Sequence, residues 1–301
     1  MKIKYSKNVK QALSTGHPVL ALESTIIAHG MPFPQNLNFA KQAEQLCKEL
    51  GVVPATIAIL GGDICVGLTD LQMESLAEDP SFKKVSRREL GQAIAGRWNG
   101  ATTVSSTMHI ACGSGISVFS TGGIGGVHRG GELSFDISQD LRSLAEIPMV
   151  VVSAGAKAIL DLPKTVELLE TLGVSVLGYR VDEFPAFYSR NSGCLGLDVA
   201  KSASSIAEIQ NARLLAGLQT ALLIANPVPL ADEIPSHEIN NIIKSACWAA
   251  ERAEIKGKDL TPFLLKKLVK KTNGRSLETN VSLAINNVEL GAKIADKLSK
   301  L

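Results

Sequence analysis

Residues able to carry chemistry concentrate in the middle of the chain. A glycine-rich loop, Gly122–Gly131, holds six glycines in ten residues, together with one histidine and one arginine. Two aspartates, Asp136 and Asp140, follow the loop, and a lone lysine, Lys157, comes after the next apolar run. These residue types predict a loop that can approach a ligand closely, oxygen ligands for a cation, and an amine nucleophile.

Lys157 follows the apolar run Met149–Ser153 and the small residues Ala-Gly-Ala. We interpret it as a lysine at the start of a helix in apolar surroundings. Lost hydration and the positive end of the helix dipole would then both favour the neutral amine that a Schiff base requires. The alternative is a lysine whose ammonium group reaches out to water.

Glu23 stands at the end of Val19–Leu22, four consecutive apolar residues that predict a strand buried on both faces. A carboxylate at that position is costly unless it is paired or protonated. Ligands of open α/β sheets bind at the carboxyl ends of strands. Glu23 is therefore either an acid whose pKa burial raises, or a structural carboxylate that holds the next loop.

Asp136 and Asp140 bracket Ser138, which can cap a helix running to Leu144. Two carboxylates around a hydroxyl suit a hard cation such as Mg²⁺ or Mn²⁺. They are equally typical of acidic residues that the helix dipole favours at a helix start.

A basic cluster surrounds a second predicted helix start, at the capping box formed by Ser86 and Glu89. Its members are Lys83, Lys84, Arg87 and Arg88. The cluster could hold an anion near the free N–H groups of the helix, or it could be a solvated basic face. The hydroxyls of Thr102–Thr107 leave a similar choice between a polar ligand site and ordinary strand and capping residues. His128 could contact a phosphate or be structural.

The pattern of the whole chain predicts an α/β fold. Apolar runs alternate with amphipathic stretches, and a Gly-Gly-Asp turn between Ala55–Leu60 and Ile64–Leu68 predicts a hairpin, so we expect a mixed sheet. No repeat or linker divides residues 1–301, which we expect to form a single domain. The irregular segment Asp182–Lys201 is predicted to be a lid over the site.

Composition and net charge reduce the number of possible classes of function. The formal net charge of +2 gives no support for nucleic-acid binding, and no apolar run is long enough to span a membrane. The first residues lack the apolar core of a signal peptide. Five scattered cysteines without a CxxC pair favour reduced thiols and a cytoplasmic location.

Several ordered blocks of sequence are distinctive. They are ALESTIIAHGMPFPQN at 21–36, KVSRREL at 84–90, NGATTVSSTM at 99–108, STGGIGGVHRG at 120–130, FDIS at 135–138, SAGAKAILDLP at 153–163, ANPVP at 225–229, TPFLL at 261–265 and SLETNVSLAINN at 276–287. Through these blocks, nearly the whole chain resembles the pseudouridine-5′-phosphate glycosidase family, which is related to the indigoidine synthase A proteins. The resemblance implies a three-layer α/β/α sandwich with a central mixed sheet, assembled as a homotrimer.

The resemblance also implies a reaction. Pseudouridine 5′-phosphate and water would give uracil and ribose 5-phosphate, reversibly, by cleavage of a C–C glycosidic bond. Paired carboxylates suit an oxygen leaving group, whereas the base here would depart as a carbanion. A Schiff base between Lys157 and C1′ of the opened ribose, with Glu23 as proton donor, provides another route.

The remaining site residues are likewise implied by the resemblance. Asp136 would bind Mn²⁺, with Mg²⁺ as an alternative. Lys84 and Val104 would bind substrate, as would Ser138, Gln139 and Asp140 beside the metal. The further active-site positions would be Thr103, Thr121, His128 and Asn280.

Two other functions remain open at this point. One is a Schiff-base lyase or synthase acting on another phosphosugar, which would share Lys157 but lack a site for the base. The other is a non-catalytic sugar-phosphate binding protein. In each case the expected partner is a small molecule, with no nucleic acid and no membrane.

Overall fold

The computed structural model describes residues 3–255, 257 and 260–301, in which eleven strands form one sheet. They are β1 (Ile3–Tyr5), β2 (Val19–Leu22), β3 (Val53–Leu60), β4 (Asp63–Val66), β5 (Lys83–Val85), β6 (Gly100–Thr102), β7 (Val118–Ser120), β8 (Val150–Ser153), β9 (Ser175–Tyr179), β10 (Asp198–Ala200) and β11 (Leu222–Ala225). The main order is β1-β4-β3-β2-β7-β8-β11-β9-β10, while β6 pairs with β3 and β5 pairs with β6.

The sheet is mixed, as the sequence predicts. Strand β3 runs antiparallel to β4 and β6, whereas the other described strand pairs are parallel. The predicted hairpin joins β3 to β4 and turns at Gly61 and Gly62, whose φ angles are 58° and 84°. Two consecutive left-handed residues are what a type I′ turn requires, so glycines fit both positions.

Helices cover the sheet in two groups. The described α-helices are α1 (Lys7–Thr15), α2 (Thr25–Ala28), α3 (Gln35–Glu49), α4 (Asp70–Glu78), α5 (Leu90–Ala95), α6 (Val104–Gly113), α7 (Gly131–Ser134), α8 (Gln139–Glu146), α9 (Leu162–Thr171), α10 (Ala203–Leu215), α11 (Ser236–Arg252), α12 (Leu260–Lys271) and α13 (Arg275–Leu298). Helices α3 and α10 pack on α13, and α6 packs on α8. The α/β class with a helix-flanked central sheet is confirmed. None of the described helices is both long and apolar enough to cross a membrane.

The segment Asp182–Lys201 is less irregular than predicted. Its end forms β10, which adds to the edge of the sheet in parallel with β9. Phe184 and Tyr188 are buried, so the middle of the segment is anchored in the core. The prediction of a lid over the site stays a prediction, as does that of a single domain.

Four neighbouring strands position the site. Strands β2, β7, β8 and β11 lie side by side, run parallel, and are buried along their described lengths. Since the carboxyl ends of parallel strands meet at one edge, the residues that follow them converge there. Those residues include Glu23 after β2 and Thr121 after β7.

Candidate active site

A cleft of about 520 Å³ opens at this carboxyl edge. It brings together four of the residues predicted for the site, which are Glu23, Lys84, Lys157 and Asn280. Residues from well-separated parts of the chain complete its wall: Thr25, Ile26, His29, Gly30, Gly122, Gly123, Phe187, Pro262 and Leu265. Apolar residues with a few convergent polar groups are typical of the lining of a small-molecule site.

Glu23 is the acidic group of the cleft, and its side chain is buried. The Thr121 hydroxyl donates a hydrogen bond to its carboxylate. Burial raises the pKa of Glu23, while the positive charge of Lys157, the Thr121 hydrogen bond and Lys84 act in the opposite direction. The balance favours a carboxyl group that still holds its proton above the usual range of glutamic acid, which suits a proton donor.

Lys157 lies on a loop and not at a helix start, which corrects the sequence interpretation. Helix α9 begins at Leu162 and is capped by Asp161. The Lys157 N–H donates to the carbonyl of Ile124 at 3.0 Å, and the Ile124 N–H donates to the carbonyl of Gly155 at 3.0 Å. Backbone pairing with the glycine loop therefore positions this amine beside Glu23. A helix dipole does not contribute at this position.

Gly155 shows why small residues precede Lys157. Its φ of 75° is left-handed, and a Cβ built on it would lie 2.2 Å from the carbonyl oxygen of Pro185. A side chain here would push the loop away from the segment that carries Phe187. A glycine is thus required at position 155 by a close backbone crossing near the amine.

Asp140 organises the glycine loop. Its buried carboxylate accepts hydrogen bonds from the N–H of Gly125 at 2.8 Å and from the N–H of Ser105 at 3.1 Å. Both oxygens are thereby engaged by the backbone, one at the glycine loop and one at the first turn of α6. The Asp140 side chain therefore has a structural role, holding the glycine loop against α6. The interpretation that Asp136 and Asp140 hold a cation as a pair receives no support.

Asp136 lies beyond the glycine loop and is joined to His128, near the end of the loop, by a backbone hydrogen bond. The His128 N–H donates to the backbone carbonyl of Asp136 at 3.0 Å. Burial lowers the pKa of His128; Lys84 and Lys157 lower it further, while Asp136 raises it. Within residues 3–255, 257 and 260–301, no group of three or more His, Cys, Asp or Glu side chains could hold a metal ion. A cation at Asp136 would need water or substrate oxygens for its other positions.

Of the four residues of the basic cluster, Lys84 alone lies in the cleft. Lys83 points away, with its Nζ 4.0 Å from the centre of the Trp98 ring. Arg87 pairs with Glu146 at 2.5 Å, and Arg88 pairs with Glu89 at 2.6 Å. Lys84 alternates with Lys83 along β5 and therefore lies on the other face, in the cleft. Burial lowers the pKa of Lys84, and the like charge of Lys157 acts in the same direction.

The remaining predicted residues surround the cleft. Thr103 is the residue before α6, and its hydroxyl lies 3.1 Å from that of Ser105, while Val104 is the first residue of α6 and is buried. The hydroxyl of Ser138 caps α8 and accepts from the Asp140 N–H at 3.2 Å. The side-chain oxygen of Gln139 accepts from the Arg88 N–H at 3.1 Å. The contacts of these side chains are thus internal to the protein.

Residues to which the sequence analysis assigned no individual role also line the cleft. His29 follows the short helix α2, and Phe187 lies against the glycine loop, where a Cβ on Gly123 would come within 2.6 Å of its ring. Phe187 itself has a φ of 66°, which is rare for a bulky residue and typical of functional sites. In the sequence, the local indication that His29 belongs to the site is its position shortly after Glu23, the acid at the end of β2.

A sequence profile described as "Indigoidine synthase A like protein" matches residues 8–297. The chain belongs to the indigoidine synthase A like family. A Solibacter usitatus relative named pseudouridine-5′-phosphate glycosidase is 52% identical over 301 residues, covering 99% of this chain and all of the relative. One of the same name from Staphylococcus aureus is 48% identical over 299 residues, covering 99% of this chain and 97% of the relative.

Two solved structures share the family fold along their whole length. An indigoidine synthase A-like protein from Thermotoga maritima aligns with a TM-score of 0.91 and 36% identity, covering 99% of this chain and 97% of that one. The prealnumycin C-glycosynthase, in complex with ribulose 5-phosphate, aligns with a TM-score of 0.92 and 35% identity, covering 100% and 98%. Family membership and fold are therefore established by both sequence and structure.

We predict that Asp140→Asn loosens the glycine loop. An amide offers one acceptor oxygen, so one of the two backbone N–H groups loses its partner and faces an NH₂ group. The free energy of unfolding should fall by about 1–3 kcal/mol in urea titrations. Asp136→Asn, measured without divalent cations, is the matched control and should change it by less than about 0.5 kcal/mol. Equal losses in the two variants would contradict the structural role of Asp140.

Proposed function

We propose that the protein is a pseudouridine-5′-phosphate glycosidase that cleaves the C–C bond between ribose C1′ and uracil C5, reversibly. The observation that carries the proposal is the convergence of the Lys157 amine with the buried Glu23 carboxyl in one cleft. Curated relatives at about 50% identity over the whole chain carry this name. A C-glycosynthase shares the fold, which agrees with chemistry on a C-glycoside.

The two residues divide the reaction between them. The Lys157 amine attacks C1′ and displaces the ring oxygen O4′, so that the C1′–O4′ bond breaks, the ribose ring opens and O4′ takes up the proton that the amine loses. Glu23 then protonates uracil C5. The C1′–C5 bond then breaks, its electron pair restores the C5=C6 double bond of uracil, and the nitrogen lone pair forms the C1′=N bond. Water hydrolyses this imine, which releases ribose 5-phosphate and returns the amine.

The phosphate would bind near Lys84 and the start of α6. Lys84 is the member of the basic cluster that lies in the cleft. Thr103 and Val104 begin a ten-residue helix, whose first backbone N–H groups and dipole favour an anion. Asn280 and Thr121 would contact the sugar or base, and His128 would contribute from the outer side of the loop.

The central experiment combines product formation with trapping. Wild-type protein given Mn²⁺, uracil and ribose 5-phosphate should form pseudouridine 5′-phosphate. Borohydride with ribose 5-phosphate should attach a reduced pentose phosphate to the peptide that contains Lys157. In Lys157→Ala both signals should be lost with the thermal midpoint retained, while the exposed Lys201→Ala serves as the matched control and keeps both.

Each outcome distinguishes a different function. Trapping without dependence on uracil would favour a synthase or lyase acting on another phosphosugar, which the C-glycosynthase relationship makes the second candidate. Binding of ribose 5-phosphate without trapping or turnover would indicate a non-catalytic binding protein.

The pH profile tests Glu23 as the donor. Because the protonated acid is the active form, kcat/KM for cleavage should fall as pH rises through the pKa of Glu23. Thr121→Val removes a hydrogen bond that lowers this pKa, so the alkaline limb should move to higher pH. Thr107→Val, which removes a buried hydroxyl bonded to Thr102 at 2.9 Å, should leave the limb in place. A limb that stays or moves to lower pH in Thr121→Val would refute the assignment.

We further propose that Asp136 binds the divalent cation, Mn²⁺ or Mg²⁺. Its carboxylate is half-buried and accepts no hydrogen bond from the described part of the chain. One carboxylate with water and phosphate oxygens is a common arrangement for such ions. In the presence of ribose 5-phosphate, Mn²⁺ should raise the thermal midpoint of wild type and of Glu132→Gln but not of Asp136→Asn.

The assembly is proposed to be a homotrimer in the cytoplasm. Large apolar side chains such as Leu133 and Leu215 are more than four-fifths exposed in the single chain, which fits an assembly that covers part of this surface. The five cysteines are free thiols, as is usual in a reducing compartment. Sedimentation velocity gives the mass, and a monomer at micromolar concentration would exclude the trimer.

A further inference from the structure

His29 is a polar residue of the cleft that the proposed chemistry does not use. Its Nε2 is removed from solvent, yet it has no hydrogen-bond partner among the residues that the structure describes. A buried polar atom without a partner destabilises the protein, because it has lost its hydrogen bond to water and gained no other. A ligand that enters the cleft and bonds to this nitrogen would recover that cost.

The protonation state of His29 limits what it can bind. Burial lowers the pKa of His29 and the charge of Lys84 lowers it further, while a hydrogen bond to the Phe82 backbone raises it. Because Nε2 has no partner, Nδ1 makes the bond to the Phe82 carbonyl and carries the proton of the neutral ring. Nε2 is then an acceptor. It can take an N–H or O–H from a ligand and would repel a phosphate oxygen.

The surroundings of His29 resemble a site for a planar ring. Ile26, Phe187, Pro262 and Leu265 supply apolar walls to the same cleft. The Phe187 ring is fixed, because it lies against Gly123 and packs edge-to-face on Tyr188 with ring centres 4.8 Å apart. Apolar walls with a few fixed polar groups suit a heterocycle better than a strongly hydrated phosphate.

A second polar atom supports this interpretation. The side-chain oxygen of Asn280 lines the same cleft and is also buried with no partner among the described residues. The cleft therefore presents two unpaired acceptors between apolar walls. Uracil carries two ring N–H donors, which are the complement of two acceptors.

We propose that His29 is a base-specificity residue, whose Nε2 accepts a hydrogen bond from a ring N–H of uracil. The inference rests on the proposed glycosidase function and adds a recognition role for a residue outside the Lys157–Glu23 pair. Nε2 of His29 accepts this hydrogen bond only if the base carries an N–H at that ring position. His29 therefore distinguishes a pyrimidinedione from a ring that has an acceptor there. It takes no part in the bond to C1′.

The test separates binding of the base from binding of the sugar. In the synthetic direction, His29→Phe should raise KM for uracil about tenfold or more, as expected for one lost hydrogen bond to a buried acceptor. KM for ribose 5-phosphate and the borohydride trapping on Lys157, which needs no uracil, should stay within about twofold. His29→Gln restores an acceptor and should recover most of the affinity for uracil. His109→Ala, at a half-buried histidine of α6 away from the cleft, is the matched control.

Other outcomes overturn the inference in distinguishable ways. If both His29 variants keep the wild-type KM for uracil while the wild type forms product, this inference alone fails. A rise in KM for ribose 5-phosphate would place the phosphate at His29 and also refute it. If the wild type forms no product from uracil, the glycosidase proposal fails and this inference fails with it. His29→Ala serves in place of His29→Phe if the larger ring lowers the thermal midpoint.

Discussion

The arrangement of the candidate active site depends on one buried carboxyl group at the end of a strand, that of Glu23. Glu23 leaves a four-residue strand that is buried on both faces, so its side chain enters a space with little access to water. A charged carboxylate is costly there, and the surroundings offset the cost with one hydroxyl donor and two lysines from other elements. The same surroundings bring an acid and an amine together for joint chemistry, and the positive charge of Lys157 lowers the pKa of Glu23 against the effect of burial.

The glycine loop and the lysine loop hold that arrangement in place. They continue the pairing of β7 and β8 beyond the strands, through hydrogen bonds that alternate between the two backbones. Two side chains from outside fix the loop: Asp140 accepts from the N–H of Gly125, and Asn287 of α13 donates to the carbonyls of Thr121 at 2.9 Å and Gly122 at 3.3 Å. Asn226, which follows β11, in turn donates to Asn287 at 2.9 Å. Preorganisation of this kind keeps the reacting groups in place before substrate binds.

Much of the fold could be predicted because buried parallel strands appear as continuous apolar runs. Val19–Leu22 is observed with the predicted bounds, and the Gly-Gly turn gave the hairpin. The convergence of Glu23 and Lys157 follows once β2 and β8 are known to pair with the two sides of β7. What could not be predicted depends on partners distant in sequence. Arg87 pairs with Glu146, 59 residues away, so that Lys84 is the member of the basic cluster that lies in the cleft. Ala158 and its apolar neighbours suggested a helix start at Lys157, but backbone pairing with the glycine loop delays the helix to Leu162.

The hydrogen bond from Asn287 to the backbone at the start of the glycine loop also has a consequence for how the protein folds. That hydrogen bond joins residues 166 positions apart, and the bond from Thr121 to Glu23 spans 98. Closing loops of this length is slow compared with forming local hairpins and helices, since chain entropy is lost before the contacts form. During synthesis the acid, the loop and the amine all emerge before α13 does. The hydrogen bonds that fix the site are thus completed only after α13 has been synthesised and packed.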